Sequence, residues 1–121
     1  MLRAIRGAIT TENTEKAMLA DTRDLLAAMI EKNVVKNSEI ISVIFSATPD
    51  LDAVYPAKAA RDIGLTSAGL MCFSEMSVEN SLKKCIRVLM HIESEKEQSE
   101  IIFVYLKEAR KLRPDITEAQ A

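Results

Sequence analysis

From Lys84 to Ile92 the chain alternates without a break. Ile86, Val88, Met90 and Ile92 fall on one side, and Cys85, Arg87, Leu89 and His91 on the other. A period of two over this length predicts a β-strand with its apolar side in a core. It therefore demands a sheet, and a layer of helices or a second sheet to cover it. The same alternation places a guanidinium that never deprotonates at the strand's midpoint, among small and apolar neighbours. Either that sheet face is solvated and Arg87 lies on it, or Arg87 has an anionic partner from the protein or from a ligand.

The remaining segments supply the sheet and its cover. Leu2–Ile9 reads as a strand, and the odd spacing of Arg3 and Arg6 sends them to opposite faces, so one of the two points toward the buried side. From Thr14 to Lys32, Met18, Thr22, Leu25, Leu26, Met29 and Ile30 recur at helical spacing. Glu15, Lys16, Asp21, Asp24 and Glu31 form the polar remainder of this amphipathic helix, and Asn33 is the expected C-terminal cap. The β-branched run Ile40–Ala47 predicts a buried strand ended by Thr48-Pro49-Asp50. Pro56 suits the first turn of a short helix that stops near Gly64. Ala68–Phe73 and Ile101–Leu106 are further strands, with a polar turn over 93–100, and the residues after Asp115 are an expected mobile tail. The order β, α, β, short α, β, β, β predicts a single α/β (α+β) domain over residues 1–121, with a mixed sheet and helices on one face.

Composition excludes several chemistries. There are 121 residues, one histidine (His91) and two cysteines (Cys72 and Cys85), which leaves no multi-histidine metal site and no C-x-x-C motif. Lys and Arg number 16 against 18 Asp and Glu, which argues against a nucleic-acid-coating protein. The N-terminus interrupts its apolar residues with arginines and lacks a signal-peptide core, and the longest apolar run contains two serines and cannot span a bilayer. The expectation is a soluble, cytoplasmic protein without metal, cofactor or membrane partner.

Spacing alone offers few reactive groups. Arg6, Arg61, Arg87 and Arg113 stand in places that solubility does not require. Glu75 follows a strand among apolar neighbours and is a candidate partner for an arginine, a ligand contact, or simply exposed. Cys72 has no local base, and both it and Cys85 read as inert buried thiols. Tyr105 is a sheet residue whose hydroxyl needs a partner. The glycines Gly7, Gly64 and Gly69 are isolated and form no phosphate-binding loop. On residues alone, the chain is a small α/β domain with arginines suited to binding an anion.

A set of ordered segments adds more: Arg6-Gly7-Ala8, Ala47-Thr48-Pro49-Asp50-Leu51, Tyr55-Pro56-Ala57-Lys58-Ala59-Ala60-Arg61, Met71-Cys72-Phe73-Ser74-Glu75-Met76, Leu82-Lys83-Lys84-Cys85-Ile86-Arg87-Val88, Val104-Tyr105-Leu106 and Leu112-Arg113-Pro114-Asp115. Together, from about residue 2 to residue 115, they resemble the monofunctional, trimeric chorismate mutases of bacteria. The resemblance implies a homotrimeric pseudo-α/β-barrel with active sites at subunit interfaces, no cofactor, and the rearrangement of chorismate to prephenate on the route to phenylalanine and tyrosine. That reaction is pericyclic: a C–O bond breaks as a C–C bond forms, with no proton transfer and no covalent intermediate. It asks for a dianion held in its compact shape, and for positive charge where the ether oxygen becomes negative.

Carried over by motif, Arg87 would stabilise the ether oxygen, Arg6 and the Tyr105 hydroxyl would bind the side-chain carboxylate, and Glu75 would accept from the ring hydroxyl, which Cys72 also contacts. Arg61, Lys58, Tyr55, Ala57, Leu112 and Arg113 would line or close the pocket, and Met71, beside Cys72, would shape its wall. The sequence departs from the family pattern at Leu65, Ala68-Gly69 and Asn80-Ser81, none of which is a proposed charged contact. Two other readings stay open: a trimeric binding or enamine-deaminase module of similar barrel shape, and a relative that binds without turning over.

Overall fold

The computed structural model describes residues 1–115, so the expected mobile tail over 116–121 lies outside the described residues. The strands are β1 (Leu2–Thr10), β2 (Ile40–Ala47), β3 (Gly69–Ser74), β4 (Cys85–Glu93) and β5 (Val104–Leu106), and the helices are α1 (Glu15–Asn33) and α2 (Ala57–Asp62). They form one mixed sheet in the order β3-β2-β4-β1-β5. β4 lies antiparallel to both β1 and β2, whereas β3 pairs parallel to β2 and β5 parallel to β1.

The pleat of β4 sorts the whole sheet. Ile86, Val88, Met90 and Ile92 are buried in the main core with Ile5, Ile9, Val43, Phe45 and the α1 residues Met18, Leu25, Leu26 and Met29. α1 packs over Gly7: a Cβ there would sit 2.6 Å from Met29 Sδ and 3.1 Å from Leu25 Cδ1, so a larger residue would force these core side chains to shift. The opposite face follows from the register: Ala8 pairs with Arg87 and Arg6 with Leu89 across β1, Ser46 with Arg87 and Ile44 with Leu89 across β2, Phe73 with Ser46 across β3, and Tyr105 with Ala8 across β5. Neither α-helix covers that face. Met71 and Phe73 on the edge strand β3 remain 56% and 53% exposed there.

Thr14 caps α1 by accepting from the Ala17 N–H at 3.1 Å. The C-terminal expectation is corrected, because Val34, at φ 52°, takes the left-handed position in place of Asn33. Asn33 is buried and serves another purpose: its Nδ2 donates to the carbonyls of Met29 and Ile102, and its Oδ1 accepts from the Ile102 N–H. Those bonds occupy the Ile102 backbone groups, which is why the strand expected over Ile101–Leu106 pairs only over Val104–Leu106. Asp21, expected on the polar side of α1, is also buried. Of the two arginines that β1 sends to opposite faces, Arg3 turns to the core side, where its Nε donates to the Lys96 carbonyl at 2.6 Å at the sheet's margin.

Among the described residues no helix is long and apolar enough to cross a membrane.

Candidate active site

The uncovered face of the sheet carries a cavity of about 240 Å³, walled by Arg6, Gly7, Ala8, Ile44, Ser46, Arg87, Val88, Leu89 and Tyr105. Its chemistry comes from three adjacent strands. β1 supplies Arg6, which is exposed; β4 supplies Arg87, whose side chain is one-third exposed; β5 supplies Tyr105, which is buried. Arg87 is neither on a fully wetted face nor without a partner: its Nε lies 3.0 Å from Glu75 Oε2. The same Glu75 oxygen accepts from Ser46 Oγ at 2.8 Å. Glu75 itself follows β3, with its N–H bound to the Ala47 carbonyl at 2.8 Å.

This arrangement divides Arg87 usefully. The carboxylate touches the guanidinium at Nε, off the line of the N–H, so the contact is an ion pair without an aligned hydrogen bond and Nε still lacks an aligned acceptor. The Tyr105 hydroxyl is likewise buried without a well-aligned partner among the described residues. Glu75 compensates the charge of Arg87, whereas a buried hydroxyl left in the state of Tyr105 costs free energy in a finished fold and marks a place where something else accepts. Two guanidiniums, a phenol and a single carboxylate around one small cavity suit an anionic ligand.

Ser46 is the residue that sequence reasoning missed. Its signal is in the alternation: Ser46 stands on the side of β2 opposite Val43 and Phe45, but the β-branched composition of the run reads as buried throughout. Only the strand pairing reveals that Ser46 sits directly beside Arg87.

The start of β4 is fixed by the turn after β2. Thr48 Oγ1 donates to Asp50 at 2.5 Å and accepts from the Cys85 N–H at 3.0 Å, while both Asp50 carboxylate oxygens accept from the Lys84 N–H. Partial burial works against ionisation of Asp50, but the bonds from Thr48 and from the Lys84 backbone outweigh it and hold its carboxyl below the usual range. Arg87 is thus held by the strand ladder on both sides and by this knot at its beginning.

Not all the expected site residues gather here. The pleat of β3 sends Cys72 to the core side, opposite Phe45, while its neighbour Met71 lies on the open face, opposite Ile44. Met71 and Cys72 therefore line different faces of the sheet, not one wall. Cys72 lies with Tyr55 along a larger cleft of about 790 Å³ that also takes in Pro56, Phe73 and Ser74. Burial pushes the Cys72 thiol pKa up, against the opposing pull of the Ala57 N–H and the Arg61 charge. Of the other α2 residues, Ala57 is buried, Lys58 pairs with Asp62 at 3.5 Å, and Arg61 is exposed. Tyr55 is 74% exposed. Leu112 packs against the small cluster of Ala8, Cys85, Tyr105 and Ala109 beside the first cavity. Arg113 pairs with Asp115 and is near enough to Tyr105 for the two to interact. One chain therefore holds two sets: Arg6, Arg87, Glu75 and Tyr105 on the open face, and Tyr55, Ala57, Lys58, Arg61 and Cys72 around α2.

Cys85 is fully buried, and this burial raises its thiol pKa to about 11, with Arg87 opposing and Glu75 and Asp50 adding to the shift. The folded thiol thus holds its proton where the unfolded one, near 9.0, releases it. Its contribution to stability is complete below the unfolded value and is lost as pH rises between the two. Thermal melts across that window should fall more steeply for the wild type than for Cys85→Ala; parallel slopes would contradict the assignment.

Comparison with known proteins identifies the family. The model of the family described as chorismate mutase type I matches residues 2–116. Chorismate mutase AroH of Bacillus subtilis (strain 168) is 44% identical over 119 residues, covering 97% of this chain and 94% of that protein. Chorismate mutase AroH of Thermus thermophilus is 43% identical over 122 residues, covering 99% of this chain and 100% of that protein. Among solved structures, a chorismate mutase from Clostridium thermocellum superposes with a TM-score of 0.88 at 50% identity, over 89% of this chain and 97% of that one. A sheet with its arginines on an uncovered face and likeness along nearly its whole length lead to one conclusion: the chain belongs to the chorismate mutase type I family.

Proposed function

We propose that this chain, as one domain, isomerises chorismate to prephenate on the open face of its sheet, in the synthesis of phenylalanine and tyrosine. The activity follows from the family. The observation that supports the location is the buried Tyr105 hydroxyl, left without an aligned acceptor beside a cavity that Arg6 and Arg87 also line.

In this reading Arg87 stabilises the negative charge that grows on the ether oxygen as the C–O bond lengthens. Fixed by the ladder before substrate arrives, it needs no reorganisation at the moment of reaction. Arg6 and the Tyr105 hydroxyl bind the side-chain carboxylate and hold the substrate in its compact shape. Glu75 keeps Oε2 on Ser46 and Arg87, which leaves Oε1 to accept from the ring hydroxyl. Cys72, Tyr55, Ala57, Lys58 and Arg61 reach the same substrate from a neighbouring subunit of a homotrimer, and Met71, Leu112 and Arg113 complete the walls. The exposed Met71 and Phe73 on an open edge strand support association, because monomers rarely leave such a patch on an unprotected edge. Two free cysteines suit a cytoplasmic location.

Purified protein should consume chorismate, followed as the loss of its absorbance, with prephenate as the product and no added cofactor. Absence of turnover together with tight binding of a bicyclic transition-state mimic would instead identify a binding-only relative.

A further inference from the structure

The candidate site is held on one side by a corner of the chain that is fastened from the far side of the sheet. β5 carries Tyr105 and ends at Leu106; Lys107 then adopts φ 55°, and a 3-10 segment, Lys107–Leu112, folds back over the open face. Ala109 on that segment joins Ala8, Cys85 and Tyr105 in the small core beside the cavity, with Leu112 against it. A left-handed lysine at the turn is a conformation the local sequence does not favour, so something outside the corner must hold it.

That restraint is Asp21. It sits on α1, packed against the other face of the sheet, and its side chain is 12% exposed. Lys107 Nζ donates to Asp21 Oδ1 at 2.7 Å, and Thr11 Oγ1 donates to Asp21 Oδ2 at 2.6 Å. The neighbouring Thr10 accepts from the Glu108 N–H at 3.1 Å through its own hydroxyl. The end of β1, the buried carboxylate and the corner after β5 therefore form one connected set. The other carboxylates beside it, Glu12 and Glu108, are engaged by Lys84 at 2.8 Å and by Lys111, and do not compete for Lys107. A carboxylate buried on a core helix is costly unless it is fully paired, and here both oxygens are used to fix one corner.

We infer that Asp21, which touches no candidate substrate contact, is a positioning residue: through Lys107 it sets where Tyr105, Leu112 and Arg113 stand relative to the cavity. This rests on the proposed chorismate site. Because these groups bind substrate before as well as during the rearrangement, loosening them should raise KM more than it lowers kcat.

The experiment is steady-state kinetics on chorismate with wild type, Asp21→Asn, Lys107→Met and the double variant, each checked by thermal melting. The expected result is a KM increase of about tenfold in each single variant, with kcat within about threefold, and a double variant no worse than the worse single one. Lys107 is more than half exposed, so Lys107→Met tests the link even if Asp21→Asn folds poorly. A folded variant with wild-type KM, a lower melting temperature alone, or effects that simply add would each overturn the inference. Wild type that converts chorismate while the variants keep its KM sinks this inference only; wild type that converts none removes the underlying site and this inference together.

Discussion

Arg87→Ala should lower kcat/KM for chorismate on the order of 10³-fold, a larger effect than any other single substitution on the open face. Losing one preorganised donor to a developing oxyanion ordinarily costs about 10²–10³-fold, and a full charge on a side chain only one-third exposed belongs at or beyond the upper end. The loss should fall mainly on kcat, since the ether oxygen acquires its charge only as the bond breaks. Removing the guanidinium also leaves Glu75, whose side chain is only 22% exposed, with Ser46 as its remaining partner, so some loss of stability accompanies the loss of rate. Arg87→Lys separates the two effects. It returns a cation to Glu75 but replaces a rigid planar fork with a mobile point charge, so stability should recover while the rate stays on the order of 10²-fold down. Steady-state kinetics with melting curves on both variants decides it. Near-wild-type turnover by Arg87→Ala would remove Arg87 from the reaction.

The sequence carried most of this fold because its strongest signals are local. The alternation around Arg87 fixed both faces of β4, and the bounds expected for β2 are those observed. What it could not carry were features made by distant partners. Asn33 looks like a cap until the chain around Ile102 returns to meet it and takes both ends of its amide. Asp21 looks like a solvated helix residue until Thr11 and Lys107 arrive from either side. Ser46 could not be recognised as a neighbour of Arg87 without knowing that β2 and β4 pair. The candidate site divides the same way. Position in the chain singles out the arginines, Glu75 and Tyr105 and motif resemblance gives them roles, but the separation of Cys72 from Met71 is a consequence of the pleat, which sends adjacent residues to opposite faces.

That separation leads to the second large effect. Arg87→Ala and Arg61→Ala, each nearly inactive alone, should regain activity when unfolded together and refolded as a mixture. Within one chain Arg87 stands on the open face, whereas Arg61 lies at the end of α2, close enough to the core-side thiol of Cys72 to influence its charge. If a site takes Arg87 from one subunit and Arg61 from its neighbour, a random trimer from an equal mixture of the two variants has an intact pair at about one site in four. Recovered kcat per site should therefore approach about a quarter of the wild-type value, with KM unchanged, and should depend on subunit exchange: mixing the folded variants without unfolding should give less. A site made by a single chain behaves differently, because every chain in the mixture then carries a defect in its own site and activity stays at the average of the two parents. A mixture that gains nothing, from variants shown by size-exclusion chromatography to co-assemble, would place both arginines in the same subunit's site or put Arg61 outside it.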